Sequence, residues 1–161
     1  MEEPIVEIKE INLNVIYVRY QGTYIGFRKQ SMSMVRQLFA YAKKHHIPIN
    51  EENKVMTLYH DNPYITQEHQ LRTSVALMVR HDFDYVNDDV VGSLEIQGKF
   101  AILHYHINRN EYDEAWKYAY FEYLFKSHEK PRDSFPIEMY ISQPPKNTKD
   151  KSFTDILIPI D

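Results

Sequence analysis

The run "PIEMYISQPP", residues 136–145, sets Glu138 and Tyr140 two apart in a short apolar segment closed by two prolines. Residues two apart on a pleated strand share a face, so Glu138 and Tyr140 point one way while Ile137, Met139 and Ile141 point the other. A face turned to solvent makes Glu138 an ordinary strand carboxylate. A face turned into a cavity makes it a site.

The surroundings of this stretch occur twice. Tyr59 stands 81 residues before Tyr140, Pro63 before Pro144, Thr73 before Thr154 and Val75 before Ile156. Further upstream the better register is 85, pairing Glu10 with Glu95, Ile11 with Ile96 and Tyr20 with Tyr105, as a four-residue difference in the strand-to-helix loop would produce. In the first copy "PIVEIKEINLNVIYVRY" alternates apolar and polar residues and predicts two consecutive strands broken at Asn12 and Asn14. "SMSMVRQLFAYAKKHH" switches period: Met34, Val35, Leu38, Phe39 and Ala42 recur at helical spacing behind a Ser31 or Ser33 cap, which predicts a helix of about four turns. "KVMTLYH" and "TSVALMVR" follow as strands. The second copy keeps this order, with "VVGSLEIQ" and "KFAILHYH" as strands, "NEYDEAWKYAYFEYLFKSH" as a helix, and "IEMYIS" and "FTDILIPI" as closing strands.

One such unit cannot bury both faces of its sheet, so two copies are expected to pair into a single α+β domain over 1–161 with pseudo-twofold symmetry, repeat one about 5–82 and repeat two about 89–160. A chain of 161 residues suits one domain with a real core. The segment "QPPKNTKDK" reads as an exposed hairpin loop.

Composition narrows the function. The net charge of −4 argues against a phosphate-binding surface and so against direct nucleic-acid binding. Absence of Cys removes disulfides, thiolate metal sites and a cysteine nucleophile. No run approaches the ~18 apolar residues of a membrane helix, and the acidic start "MEEP" is the wrong flank for a signal peptide, so a cytoplasmic protein without membrane partners is expected. Tyr 13, Phe 8 and Trp 1 make aromatic residues the compositional outlier, and tyrosine suits surfaces that are apolar yet must hydrogen-bond.

The offset of 81 carries Glu138 and Tyr140 onto Thr57 and Tyr59. If the copies face each other across a pseudo-twofold axis, these four positions converge on one cavity with a single carboxylate among aromatic rings. Such a cavity suits a flat, lipophilic cation. His104 and His106 share a strand face, but no carboxylate at ligand spacing joins them, so a solvated face rather than a metal site is expected and no cofactor is called for. His45 and His46 sit where a helix is capped, and the remaining histidines form no triad pattern. The four glycines are scattered, without a nucleophile elbow or phosphate loop. An enzyme remains open only through Glu138 acting as a general base.

Taken together, "YVRYQGTY", "SMSMVRQLFAYA", "LYHDNP" followed by "LRTSVALMV", "EAWKYAYFEYLF", "PIEMY" and "TDILIPI" resemble, in this order, the gyrase-inhibitor-like small-molecule-binding domain, which is also the effector-binding domain of AraC-type and related bacterial transcription activators. The resemblance spans nearly the whole chain. It implies duplicated strand-helix-strand-strand modules, a curved antiparallel sheet with two main helices, and a ligand cleft between the modules with a central acidic residue matching Glu138. Tyr59, Tyr140 and Tyr24 would then be cleft walls with Thr57 beside them, and Trp116 either an end wall or a core residue. The chain departs from the family pattern at "INRN", which lacks the turn kept by Gly22 and Tyr24, at Ser74, where the family usually has Asp, and at Asn62, which replaces a second Asp. With no room for a DNA-binding domain ahead of Ile5, a freestanding sensor or sequestering protein is expected. The alternatives are a hydrolase of small electrophilic compounds and a modulator that acts on gyrase, or with a DNA-binding regulator, through its outer surface.

Overall fold

The alternating N-terminal segment forms one strand, β1 (Ile5–Gln21), where two were expected. Asn12 and Asn14 do not break it. Asn14 keeps its place opposite Val79 in the ladder and its side-chain amide donates to the His81 carbonyl, so cross-strand pairing outweighs a poor strand propensity. The second expected pair is likewise one strand, β4 (Gly92–Ile107). Gly98 absorbs the irregularity there with φ of 121°, and a Cβ at that position would lie 2.7 Å from the Arg132 guanidinium, which donates to the Ile160 and Lys99 carbonyls.

The computed structural model describes residues 1–161 and divides into two units, Asn12–Gln97 and the pair of segments Met1–Ile11 and Gly98–Asp161. The fold is α+β, with two principal helices and six antiparallel strands.

In the unit Asn12–Gln97, β3 (Arg72–Val79) pairs with β1 on one side and with β2 (Val55–Tyr59) on the other. The helix α1 (Tyr24–Lys44) is longer than its spacing suggested and starts at Thr23 rather than at Ser31 or Ser33. The Thr23 hydroxyl accepts the Gly26 N–H at 3.0 Å, which satisfies one of the free donors of the first turn. A Cβ at Gly26 would sit 2.1 Å from the Tyr20 hydroxyl oxygen, so a larger residue there would displace the end of the Tyr20 side chain. Phe27, Met34, Leu38 and Tyr41 form the buried side of α1 and pack with Ile16, Val18, Val75 and Leu77. The helix closes with Ile47 N–H donating to the Ala42 carbonyl and His46 in the left-handed region at φ 56°, a cap that Gly more often provides.

In the other unit, β6 (Ser152–Pro159) pairs with β4 and with β5 (Ile137–Tyr140). The predicted second helix is split by type: α2 (Tyr112–Lys117) continues as a π-helical segment, Tyr118–Leu124, closed by Phe125 N–H donating to the Tyr120 carbonyl five residues back at 2.9 Å. Spacing alone does not reveal such a widened turn. A short 3₁₀ turn, Arg109–Glu111, precedes α2 and is capped by Asn108, 85 residues after Thr23. Ala115 and Ala119 lie buried with Leu103, Tyr105, Leu124, Ile156 and Ile158, and the Tyr105 hydroxyl donates to the Ala115 carbonyl at 2.8 Å.

The β2–β3 and β5–β6 ladders have the same register. Tyr59 faces Thr73 and Tyr140 faces Thr154, while Thr57 faces Val75 and Glu138 faces Ile156, every residue shifted by 81. No helix is long and apolar enough to cross a membrane.

Candidate functional site

Both faces of β5 are covered, with Ile137 and Met139 buried on one side and Glu138 on the other. Glu138 lies opposite Ile156 of β6, which in turn faces Leu103 of β4, and both partners are core residues beneath α2. The Glu138 side chain is 7% exposed. Burying a carboxylate is costly unless hydrogen bonds replace water, and here each oxygen receives one. Trp116, next to the buried Ala115 on α2, donates its indole N–H to Glu138 Oε2 at 2.6 Å, and the Tyr140 hydroxyl donates to Oε1 at 2.7 Å. Trp116 therefore touches the carboxylate while it also packs, partly buried, against the core beneath α2.

Around this pair stand residues that sequence reasoning missed. Tyr112 at the start of α2 shares a 2.7 Å hydrogen bond with Thr154, the residue opposite Tyr140. Burial pushes the Tyr112 hydroxyl above its ordinary range, and the nearby Glu138 charge adds to that. Tyr120, in the π-helical segment, stacks on Trp116 with ring centres 6.1 Å apart. Tyr112 had a legible signal in its helical spacing from Trp116. Tyr120 has the same four-residue spacing from Trp116, and the π-helical turn sets the angle of its ring.

The unit Asn12–Gln97 holds the other expected residues. Thr57 is buried on β2, and Tyr59 meets Tyr24 edge-on, with ring centres 5.9 Å apart and planes at 87°. Burial raises the Tyr24 pKa, and Asp61 adds to it. Asp61 receives two hydrogen bonds from the Arg72 guanidinium and one from the Arg72 backbone, which hold its carboxyl below the usual range. His60 lies 2.7 Å from the buried Ser74 hydroxyl through Nε2. Burial, then the charges of Arg19 and Arg72, push His60 down to about 4. The structure thus brings Glu138, Tyr140 and Trp116 together in one unit and Tyr24 and Tyr59 together in the other.

His104 is half-exposed on its strand face and meets two carboxylates there. It lies on the strand face opposite Glu138, with Nδ1 2.7 Å from Asp155 and Nε2 3.0 Å from Glu7. Burial draws its pKa down, but the two carboxylates outweigh burial and leave it raised. His106 instead stacks on Phe153 at 4.3 Å.

A few polar groups set among aromatic rings are the kind of lining that small-molecule sites use. A family model described as the GyrI-like small molecule binding domain matches residues 1–161, and the chain belongs to that family. Among curated relatives it is 28% identical to DNA gyrase inhibitor 2 of Dickeya dadantii (strain 3937), over 80% of this chain and 76% of the relative. It is 26% identical to the SPbeta prophage-derived protein YosT of Bacillus subtilis (strain 168), over 96% of this chain and 98% of that one. Among solved structures, the EcmrR C-terminal domain superposes with a TM-score of 0.76 at 16% identity, with 98% of each chain covered. The chain spans 57% of the EcmrR chain in a cryo-EM structure of an EcmrR–DNA complex, with a TM-score of 0.75 at 17% identity over 98% of this chain. SAV2435 bound to tetraphenylphosphonium matches with a TM-score of 0.56 at 9% identity, over 98% of this chain and 94% of that one.

Proposed function

We propose that this protein binds lipophilic aromatic cations at Glu138 and works in the cytoplasm as a sensor or a sequestering protein. The observation that carries the proposal is the buried carboxylate held by two neutral donors, Trp116 and Tyr140. Those donors hold its oxygens in place, and a carboxylate set among aromatic rings suits a cation whose own desolvation is inexpensive. Rings at Trp116, Tyr120 and Tyr140 offer the faces that such a cation prefers. The tetraphenylphosphonium bound by SAV2435 is a molecule of this class. Tyr24, Tyr59 and Thr57 are proposed as further ligand-binding residues.

Trp116 is the single tryptophan and touches Glu138, so its fluorescence reports on the site directly. Titration with tetraphenylphosphonium and with tetraphenylborate, a matched cation and anion, should show binding of the cation only. Glu138→Gln should weaken that binding by about 1–3 kcal/mol, with Tyr59→Phe read alongside to score the second aromatic set. Equal affinity for the two ions, or no change in Glu138→Gln, sinks the proposal. Similarity to a DNA gyrase inhibitor supports a second reading, modulation of gyrase. A supercoiling assay with purified gyrase tests it, and unaltered supercoiling at saturating protein would rule it out.

A further inference from the structure

Helix α1 turns a second pattern outward. Ile25, Met32 and Phe39 recur at seven-residue spacing on the side opposite Phe27, Met34 and Leu38, and they are 64%, 65% and 40% exposed. The row extends about 21 Å along the helix. Between and beside these side chains stand Arg28, Arg36 and Lys43, all exposed and in no ion pair of the chain. No acidic residue occurs anywhere from Tyr24 to Lys44, although the protein as a whole carries −4. A solvated helix face usually mixes both signs and keeps large apolar groups off its outer line.

We propose that this face of α1 is a docking surface for an acidic amphipathic helix of a partner protein. Three apolar side chains two turns apart are the ladder into which a second helix packs its own seam, and the flanking cations match acidic positions beside that seam. Self-association through α1 would bring Arg28, Arg36 and Lys43 against their own copies, so like charges disfavour it. A membrane surface fits less well. Arg36 and Lys43 lie on the same line as Ile25 and Met32, and a helix that embeds its apolar face in lipid keeps its cations on the opposite side. Duplex DNA has no use for an exposed apolar ladder along its phosphates, and the net charge opposes it.

The test uses the full chain and two labelled helical peptides of the length of α1, with identical leucine ladders at seven-residue spacing and either Glu or Lys at the flanking positions. In fluorescence anisotropy the Glu peptide should bind at least about tenfold more tightly than the Lys peptide. Met32→Glu should abolish that binding, and the triple exchange Arg28→Glu, Arg36→Glu, Lys43→Glu should invert the preference. Tetraphenylphosphonium binding in the same variants should be unchanged, which separates this surface from the Glu138 site. Because these positions are exposed, melting temperatures should stay near that of the parent protein, and Arg36→Gln, which should weaken the Glu peptide, replaces the triple variant if that variant fails to fold. Equal affinity for the two peptides, an unaltered preference after charge reversal, or tighter binding to phosphatidylglycerol vesicles or duplex DNA than to the Glu peptide overturns the proposal.

Discussion

The ladder of β2 and β3 and the ladder of β5 and β6 have the same register but differ in what their matching positions hold. Thr57 corresponds to Glu138, Ser74 to Asp155, and Thr73 to Thr154. The backbone is held in common because pairing and core packing require only alternating apolar residues of suitable size. The polar positions are free to diverge once each finds its own partner, and the two units have solved that problem differently. Glu138 is met by Trp116 and Tyr140. Asp155 is met by His104, whereas Ser74 is met by His60. Thr154 is met by Tyr112, but Thr73 is buried with no hydrogen-bond partner for its hydroxyl. The position 85 residues before Tyr112 is Phe27, which has no hydroxyl to offer.

The largest contrast is between the two histidines, and exchanging Ser74 for Asp should collapse it. His60 is pushed down to about 4 from an ordinary 6.5 beside a neutral hydroxyl, while His104 is raised beside carboxylates. Ser74→Asp should lift His60 by roughly 1–3 pH units, read from the imidazole resonances in an NMR titration. A His60 that still titrates near 4 would show that burial and the two arginines decide alone. The signs for stability are opposite. The unfolded chain takes up a proton at His60 near 6.5 and the folded chain only near 4, so this contribution is present above 6.5 and is lost as pH falls through that window. For His104 the folded value is the higher one, so its contribution is present below 6.5 and is lost as pH rises through the folded value. Melting temperatures measured from acid to neutral pH in His60→Asn and His104→Asn should therefore deviate from the parent in opposite directions.

A smaller effect separates Glu138 from Thr57. Trp116→Phe keeps a ring on α2 but withdraws the donor from Glu138 Oε2, which should cost about 1–3 kcal/mol of stability in urea unfolding. No loss would mean that the indole packs beside the carboxylate without supporting it. The smallest effect tests the unmatched threonine. Thr73→Val removes a buried hydroxyl that has no partner and should stabilise the fold by about 1 kcal/mol, while Thr154→Val takes a partner from Tyr112 and should destabilise it by up to about 1 kcal/mol. Equal signs for the two valines would erase the distinction between the units at this position.

Much of the fold was legible because it rests on local pattern. Strand alternation, helical spacing and the offsets of 81 and 85 are periodicities along the chain, and strands and helices follow in the order they predict apart from the two expected strand pairs that are single strands, β1 and β4. Boundaries failed where a tertiary contact overrode the pattern. Asn14 stayed in a strand because Val79 paired with it, Gly98 bent β4 without ending it, and α1 began at Thr23 because that hydroxyl caps the first turn.

The candidate site divides along the same line. Alternation determined that Glu138 and Tyr140 share a face, since two-residue periodicity is a property of the strand itself. That the Glu138 face is covered as well as the face of Ile137 and Met139 is something four residues of β5 do not state. The indole of Trp116 reaches Glu138 across 22 residues of sequence, and the turn of helix type at Tyr118 sets the ring of Tyr120 against it. His60 and Ser74 meet across paired strands, where proximity follows from the register of the ladder. The sequence by itself determined which groups the chain carries and which of them share an element's face. Only the tertiary structure decided which were taken out of water and which donors met them, because burial and hydrogen bonding depend on atoms that are distant along the chain and close in space.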